Sequence, residues 1–148
     1  MRRTNNGAGN NGMTWSHFAH DADLGLCGSG GSKAEAFEQI AMALTAAVTD
    51  PDSVATEESI SLRCEAPNDE VLLVDWLNAL IYEMAVRKML FGKFSVSITD
   101  CVLQADVVGE PVDRNKHHPA VEVKGATYTA LDVEHTDAGW IVQCVVDV

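Results

Sequence analysis

Positive charge is scarce in this 148-residue chain: 10 Lys and Arg stand against 22 Asp and Glu, for a formal net charge of -12. Such a field repels phosphate backbones, so direct binding of nucleic acid over a broad surface is not expected, and cations or basic protein surfaces are the better partners. Aromatic residues make up only 6% of the chain, too few for a surface that stacks single-stranded bases. No apolar run reaches the roughly 20 residues of a membrane-spanning helix. The opening MRRTNNGAGNNGMT holds two arginines without a hydrophobic segment behind them, so neither membrane insertion nor export is expected and a cytoplasmic location follows. The four cysteines, Cys27, Cys64, Cys101 and Cys144, lie far apart with no C-x-x-C. They read as buried thiols rather than disulfides or zinc ligands. Also missing are G-x-S-x-G, a P-loop, G-x-G-x-x-G and the kinase motifs, so no self-sufficient hydrolase or nucleotide enzyme is signalled.

What is present is an ordinary globular pattern, 47% apolar and of a length that suits one domain. Residues 1–13, rich in Asn and Gly, read as a flexible leader, and residues 14–148 as the domain. A first extended segment alternates up to Gly28 before GSGGS breaks it. Ser32 with Glu35 forms a capping box, and the spacing of Phe37, Ile40, Leu44 and Val48 predicts a helix near 33–49. Ile60, Leu62 and Cys64 alternate as a half-buried strand. Asn68 then caps a helix near 69–89 whose apolar stripe is wide enough for burial on more than one side.

Phe94, Val96 and Ile98, and then Leu103, Ala105 and Val107, predict a hairpin turning around Asp100. Residues 109–119 read as a loop, followed by strands near 120–128, 130–136 and 140–147. This order predicts an α+β domain with a mostly antiparallel sheet and two main helices packed on one face.

Charge stands out at the two ends. Asp21 and Asp23 flank the first core strand beside His20, and Asp147 with the carboxylate of Val148 closes the last strand. Positions 21 and 23 would share a face within a strand. If the first and last strands are neighbours, these carboxylates converge and need a cation, and oxygen-only ligands favour calcium, magnesium or manganese over zinc. On spacing alone the plainer reading, solvated residues at strand ends, is favoured. His20 sits where it could orient or protonate a group there, while the other histidines read as surface or turn residues. Lys124 in VEVKGATY could hold a phosphate or a carboxylate network; the plainer alternative is an exposed ion pair with Glu122, worth at most about 1 kcal/mol. Tyr128 reads as a packing residue.

Taken together, HDADLGL, LLVDWLNALIYE, FGKFSVSI, GEPVD followed by HHP, VEVKGATY and VQCVVDV resemble the archease family from about Trp15 to Val148. The resemblance implies an α+β fold and an accessory role for the RtcB-type RNA ligase of tRNA splicing and RNA repair. In that role archeases promote guanylylation of the ligase and its multiple turnover and are not themselves the catalyst. It also implies a metal site at Asp23, Asp147 and Val148, calcium or another hard ion, with Lys124 matching a functionally important lysine. Asp21 departs from the threonine common in the family, which adds a carboxylate and leaves its part as a ligand open. Two other readings stay open: a self-sufficient metal-dependent enzyme acting on phosphoesters, and a general chaperone or protein-interaction module.

Overall fold

The computed structural model describes Arg3–Ala8 by its backbone and residues 12–148 in full. Of the leader expected over residues 1–13, residues 1, 2 and 9–11 lie outside the described residues. Strand β1 (Arg3–Ala8) runs antiparallel to β2 (Thr14–His20), with a register shift between Arg3 and Asn5.

Helix α1 (Lys33–Val48) starts where its chemistry dictates. Ser32 Oγ accepts from the amide of Glu35 at 3.1 Å while Glu35 Oε1 accepts from the amides of Ser32 and Gly31, so two amides that a helix start leaves without partners, and a third just ahead of it, are satisfied. Asp50 and Pro51 then divert the chain into a single 3-10 turn. Helix α2 (Asp69–Arg87) is capped by Asn68, whose Oδ1 accepts from Val71 N at 2.9 Å. It ends when Lys88 turns left-handed, with φ 53.

The fold class is α+β with antiparallel pairing and two main helices, as the sequence reads, but the strands divide between two sheets. One has the order β1-β2-β3-β9-β7, with β3 (Asp23–Gly30), β7 (Gly125–Ala126) and β9 (Gly139–Asp147); β8 (Asp132–Thr136) also pairs β9. The other has β6 (Val102–Pro111) between β4 (Glu58–Glu65) and β5 (Met89–Thr99). Asp100 and Cys101 both adopt positive φ in the two-residue link between β5 and β6, the backbone that matches the twist of a tight hairpin.

Each helix touches both sheets, and this is why their apolar stripes are wide. On α1, Phe37, Ile40 and Leu44 are buried. A Cβ on Gly28 of β3 would collide with the backbone of Ile40 and Ala36, so α1 lies directly on the first sheet. The same helix runs along the open edge of the second, where Glu38 Oε2 accepts from Val96 N at 2.8 Å and Thr45 Oγ1 donates to Phe91 O at 2.6 Å. Trp76 of α2 is fully buried between these layers and donates Nε1–H to Phe37 O at 3.0 Å, which satisfies its one polar atom.

The strand expected near 120–128 shrinks to Gly125–Ala126. Gly125 pairs with Asp147, where β9 ends, so residues ahead of Lys124 have no β9 residue opposite them. They form instead an arm, residues 112–124, with one short helix α3 (Arg114–His117). A knot of polar bonds behind α3 fixes this arm. Glu110, buried, accepts from Lys116 Nζ at 2.6 Å, Ala55 N at 2.8 Å and His117 Nε2 at 2.9 Å. His117 Nδ1 accepts from Asp113 N at 2.9 Å, which puts the ring proton on Nε2 and aims it at Glu110. Thr49 Oγ1 donates to His117 O, Ala120 N to Val48 O and Val112 N to Lys88 O. Lys116 first, then the Ala55 amide and His117, hold the Glu110 carboxyl down to about 2.

Candidate functional site

The register of the first sheet decides what the acidic residues can do. In the β3–β9 ladder Leu24 lies opposite Val146, so the next pair outward is Asp23 opposite Asp147. His20 pairs with Asp23 on one side, and Gly125 pairs with Asp147 on the other. Directly opposed residues share a face. One row across four strands therefore reads His20, Asp23, Asp147, Gly125, and it puts both carboxylates on one side of the sheet.

That side faces away from α1, because Gly28, of the other parity in β3, is the position that meets the helix. The neighbouring row holds Phe18, Gly25 and Val145, with the Phe18 ring lying across Gly25 and both large side chains buried. Asp23 and Asp147 thus project from a sheet whose next row is closed by packing. Val148, which follows Asp147, packs its side chain against the core.

Asp21 is placed differently from the shared strand face expected of it. It lies in the turn between β2 and β3 at φ 53, a conformation Asp tolerates, and its side chain is 94% exposed. His20 Nδ1 is 3.9 Å from Asp21 Oδ2, so this histidine faces the turn carboxylate while sharing a row with Asp23.

Lys124 reaches the site through its backbone: its amide donates to Asp147 O at 2.8 Å. Its side chain is exposed and forms no ion pair with Glu122 among the described residues. Tyr128 is 66% exposed, so it is a surface residue rather than a packing one. Among the described residues no set of three or more His, Cys, Asp or Glu side chains is gathered as a metal cage. The arrangement is a pair of carboxylates at the adjoining ends of β3 and β9.

Three residues take part in ways that the sequence does not signal. Asn78, midway along α2, accepts from Ala126 N through Oδ1 at 2.9 Å and so pins β7 beside Asp147; an exposed amide in the middle of LLVDWLNALIYE was its only signal. His117 and His17 are buried rather than superficial. His117 grips Glu110, and His17 Nε2 lies 2.8 Å from Ala43 O on α1. The pair GEPVD and HHP carried the first of these, but spacing does not show that the chain folds back on itself there.

Residues 15–148 match the model of the Archease protein family (MTH1598/TM1083). The chain belongs to the archease family. An archease of Pyrococcus furiosus is 33% identical over 139 residues, covering 90% of this chain and 98% of that protein. One of Methanosarcina mazei is 32% identical over 142 residues, covering 93% and 97%. The solution structure of Methanobacterium thermoautotrophicum protein 1598 superposes with a TM-score of 0.80 at 26% identity, over 90% of this chain and 98% of that one. A crystal structure of an archease from Thermotoga maritima shares the fold at a TM-score of 0.58 and 16% identity, over 88% and 94%. The archease fold thus accounts for both sheets and both helices here. Among the described residues no helix is long and apolar enough to cross a membrane.

Proposed function

We propose that this protein is a metal-binding accessory factor that activates an RtcB-type RNA ligase, promoting its guanylylation and repeated turnover in tRNA splicing or RNA repair. One observation supports the site assignment. Asp23 and Asp147, drawn from opposite ends of the sequence, each lie just beyond the last β3–β9 ladder pair, Leu24 opposite Val146, and among the described residues neither has a cationic side chain in ion-pair contact.

Two uncompensated carboxylates on adjacent strands repel, and a divalent ion turns that repulsion into attraction. The donors are all oxygen, which suits calcium, magnesium or manganese. Asp23, Asp147 and Val148 would hold the ion. His20 and the exposed Asp21 lie close enough in sequence and register to orient its hydration. Calcium takes six to eight oxygens, so these few ligands leave positions for water or for groups of the partner. When bound, the ion supplies a concentrated positive charge on an otherwise acidic protein.

The chain's own residues set the geometry. Asn78 and the amide of Lys124 hold β7 against β9, and Lys124 then offers a mobile cation at the rim for a nucleotide or partner carboxylate. A net charge of -12 suits approach to a basic RNA-binding ligase without competing for its RNA. To act on the ligase, the protein must bind one of its states better than another. The test is guanylylation of purified ligase in the presence of folded Asp23→Ala, Asp147→Ala or Lys124→Ala protein. Stimulation is expected to fall in all three; full stimulation by both aspartate variants would sink the assignment.

A further inference from the structure

A second site lies away from the acidic pair, where the C-terminal end of α2 meets the arm of residues 112–124. A cleft of about 700 Å³ opens there, within the range of pockets that take small organic ligands. Its floor is core: Val48, Ile81, Met89, Leu90 and Val123 are each at most 9% exposed. Its walls include Met84, a side chain that adapts to irregular shapes, and the partly exposed Val112 and Val121.

Three charged residues line it, Lys88, Arg114 and Glu122, and among the described residues none of the three is in an ion pair. The local balance is therefore one positive charge in excess. At physiological salt, charges more than about 8 Å away are largely screened, so Lys88 and Arg114 act locally within an otherwise acidic chain, with the nearby Asp113 carboxylate engaged by the amides of Asn115 and Lys116.

The cleft is also built in advance of any occupant. Its arm is tied to α1 by Ala120 N to Val48 O at 2.8 Å, to the end of α2 by Val112 N to Lys88 O at 2.9 Å, and to the second sheet by the Glu110 bonds. A site that needs no ordering gives up little of its binding energy to conformational entropy.

We infer that this cleft binds a small organic anion with an apolar body, an aliphatic or aromatic carboxylate, seating the body on the Val48, Ile81 and Leu90 floor and the anionic group between Lys88 and Arg114. Charge-assisted bonds from two cations fix orientation, and the floor supplies the bulk of the attraction.

The test is isothermal titration calorimetry of the full chain with decanoate and, separately, with decyltrimethylammonium. Decanoate is expected to bind saturably at one site and the cationic amphiphile far more weakly. The double change Lys88→Asn and Arg114→Gln, in which Asn keeps the left-handed residue after α2, is expected to weaken decanoate roughly tenfold or more. Ala85→Trp, an exposed cleft position on α2, is expected to block binding by filling the space. Far-UV circular dichroism and melting establish that both variants are folded. Absence of saturable decanoate binding, equal binding of the cation, or unchanged affinity in both folded variants would overturn the assignment.

Discussion

Replacing Asp147 by Asn removes one of two like charges that oppose each other across β3 and β9, and its effect should reverse sign with metal. Directly opposed Cβ atoms in an antiparallel pair are about 5 Å apart. Two unit charges at about 5 Å in water repel by about 0.8 kcal/mol. Asp147 is exposed, so the water value is the appropriate one. For a chain of this size about 1 kcal/mol moves the melting temperature by about 2–4 °C. In chelator, Asp147→Asn should therefore melt about 2–3 °C above the parent. Calcium at a hundredfold excess over its dissociation constant should stabilise the parent by about 2.7 kcal/mol, or about 5–10 °C. The variant, lacking one of the proposed ligands, should respond little, so the two melting curves exchange order as calcium is added. Differential scanning calorimetry across a calcium series reads this directly. A variant less stable than the parent in chelator, or one with the same calcium response, would refute the reasoning.

Three further perturbations test other parts of the structure. Gly28→Ala places a Cβ against the backbone of Ile40 and Ala36, and overpacking of that kind should cost about 1–3 kcal/mol in urea unfolding. The Glu110 carboxyl is held down to about 2 by Lys116, Ala55 and His117. A depressed carboxyl contributes stability that is present above its ordinary value of 4.5 and lost as pH falls towards its folded value; an acid titration of melting temperature should show that loss, and Glu110→Gln should flatten it. Burial pushes the Cys64 thiol up and takes Cys144 to about 11, while Cys101, half-buried, is raised by desolvation and by Asp69. Alkylation of the native protein at pH 8 should therefore mark Cys101 first, more slowly than a free thiol, with Cys64 and Cys144 reacting only on unfolding.

Local chemistry was readable in the sequence wherever it acts within a few residues. Ser32 with Glu35, and Asn68 ahead of α2, fix both helix starts, and the alternation through Phe94, Val96 and Ile98 fixes β5 against β6. Division of the strands into two sheets was not readable. Alternation tells which face of a strand is apolar but not which sheet the strand joins, and α1 packs on both, adding polar bonds from Glu38 and Thr45 at the edge of the second. Residues 112–119 are the loop that the sequence reads, but residues 120–124 do not join the strand expected there, for a related reason: Val121 and Val123 alternate like a strand, but β9 ends before it could pair with them. Of the site, the facing of Asp23 and Asp147 follows from their terminal positions once β3 and β9 are neighbours. Asp21 could not be placed, because whether a residue continues a strand or turns left-handed at a hairpin depends on where pairing stops. Asn78 and His117 act over long sequence distances on backbone amides and a carboxylate, and no periodicity records such a bond.

The placement of α1 along β5 bears on how the protein behaves in a crowded solution. A strand at the border of a sheet exposes amides and carbonyls that can recruit a strand from another chain and seed aggregation. Here Glu38 occupies the amide of Val96 and Thr45 occupies the carbonyl of Phe91, so a would-be intruder must evict two side chains rigidly mounted on a helix. Among the described residues no side chain of α1 bonds to the opposite border of this sheet, β4, which bears Glu58, Arg63 and Glu65 along its length. Strand addition to this sheet should therefore begin at β4 rather than β5, held in check by mixed charge rather than by a plug.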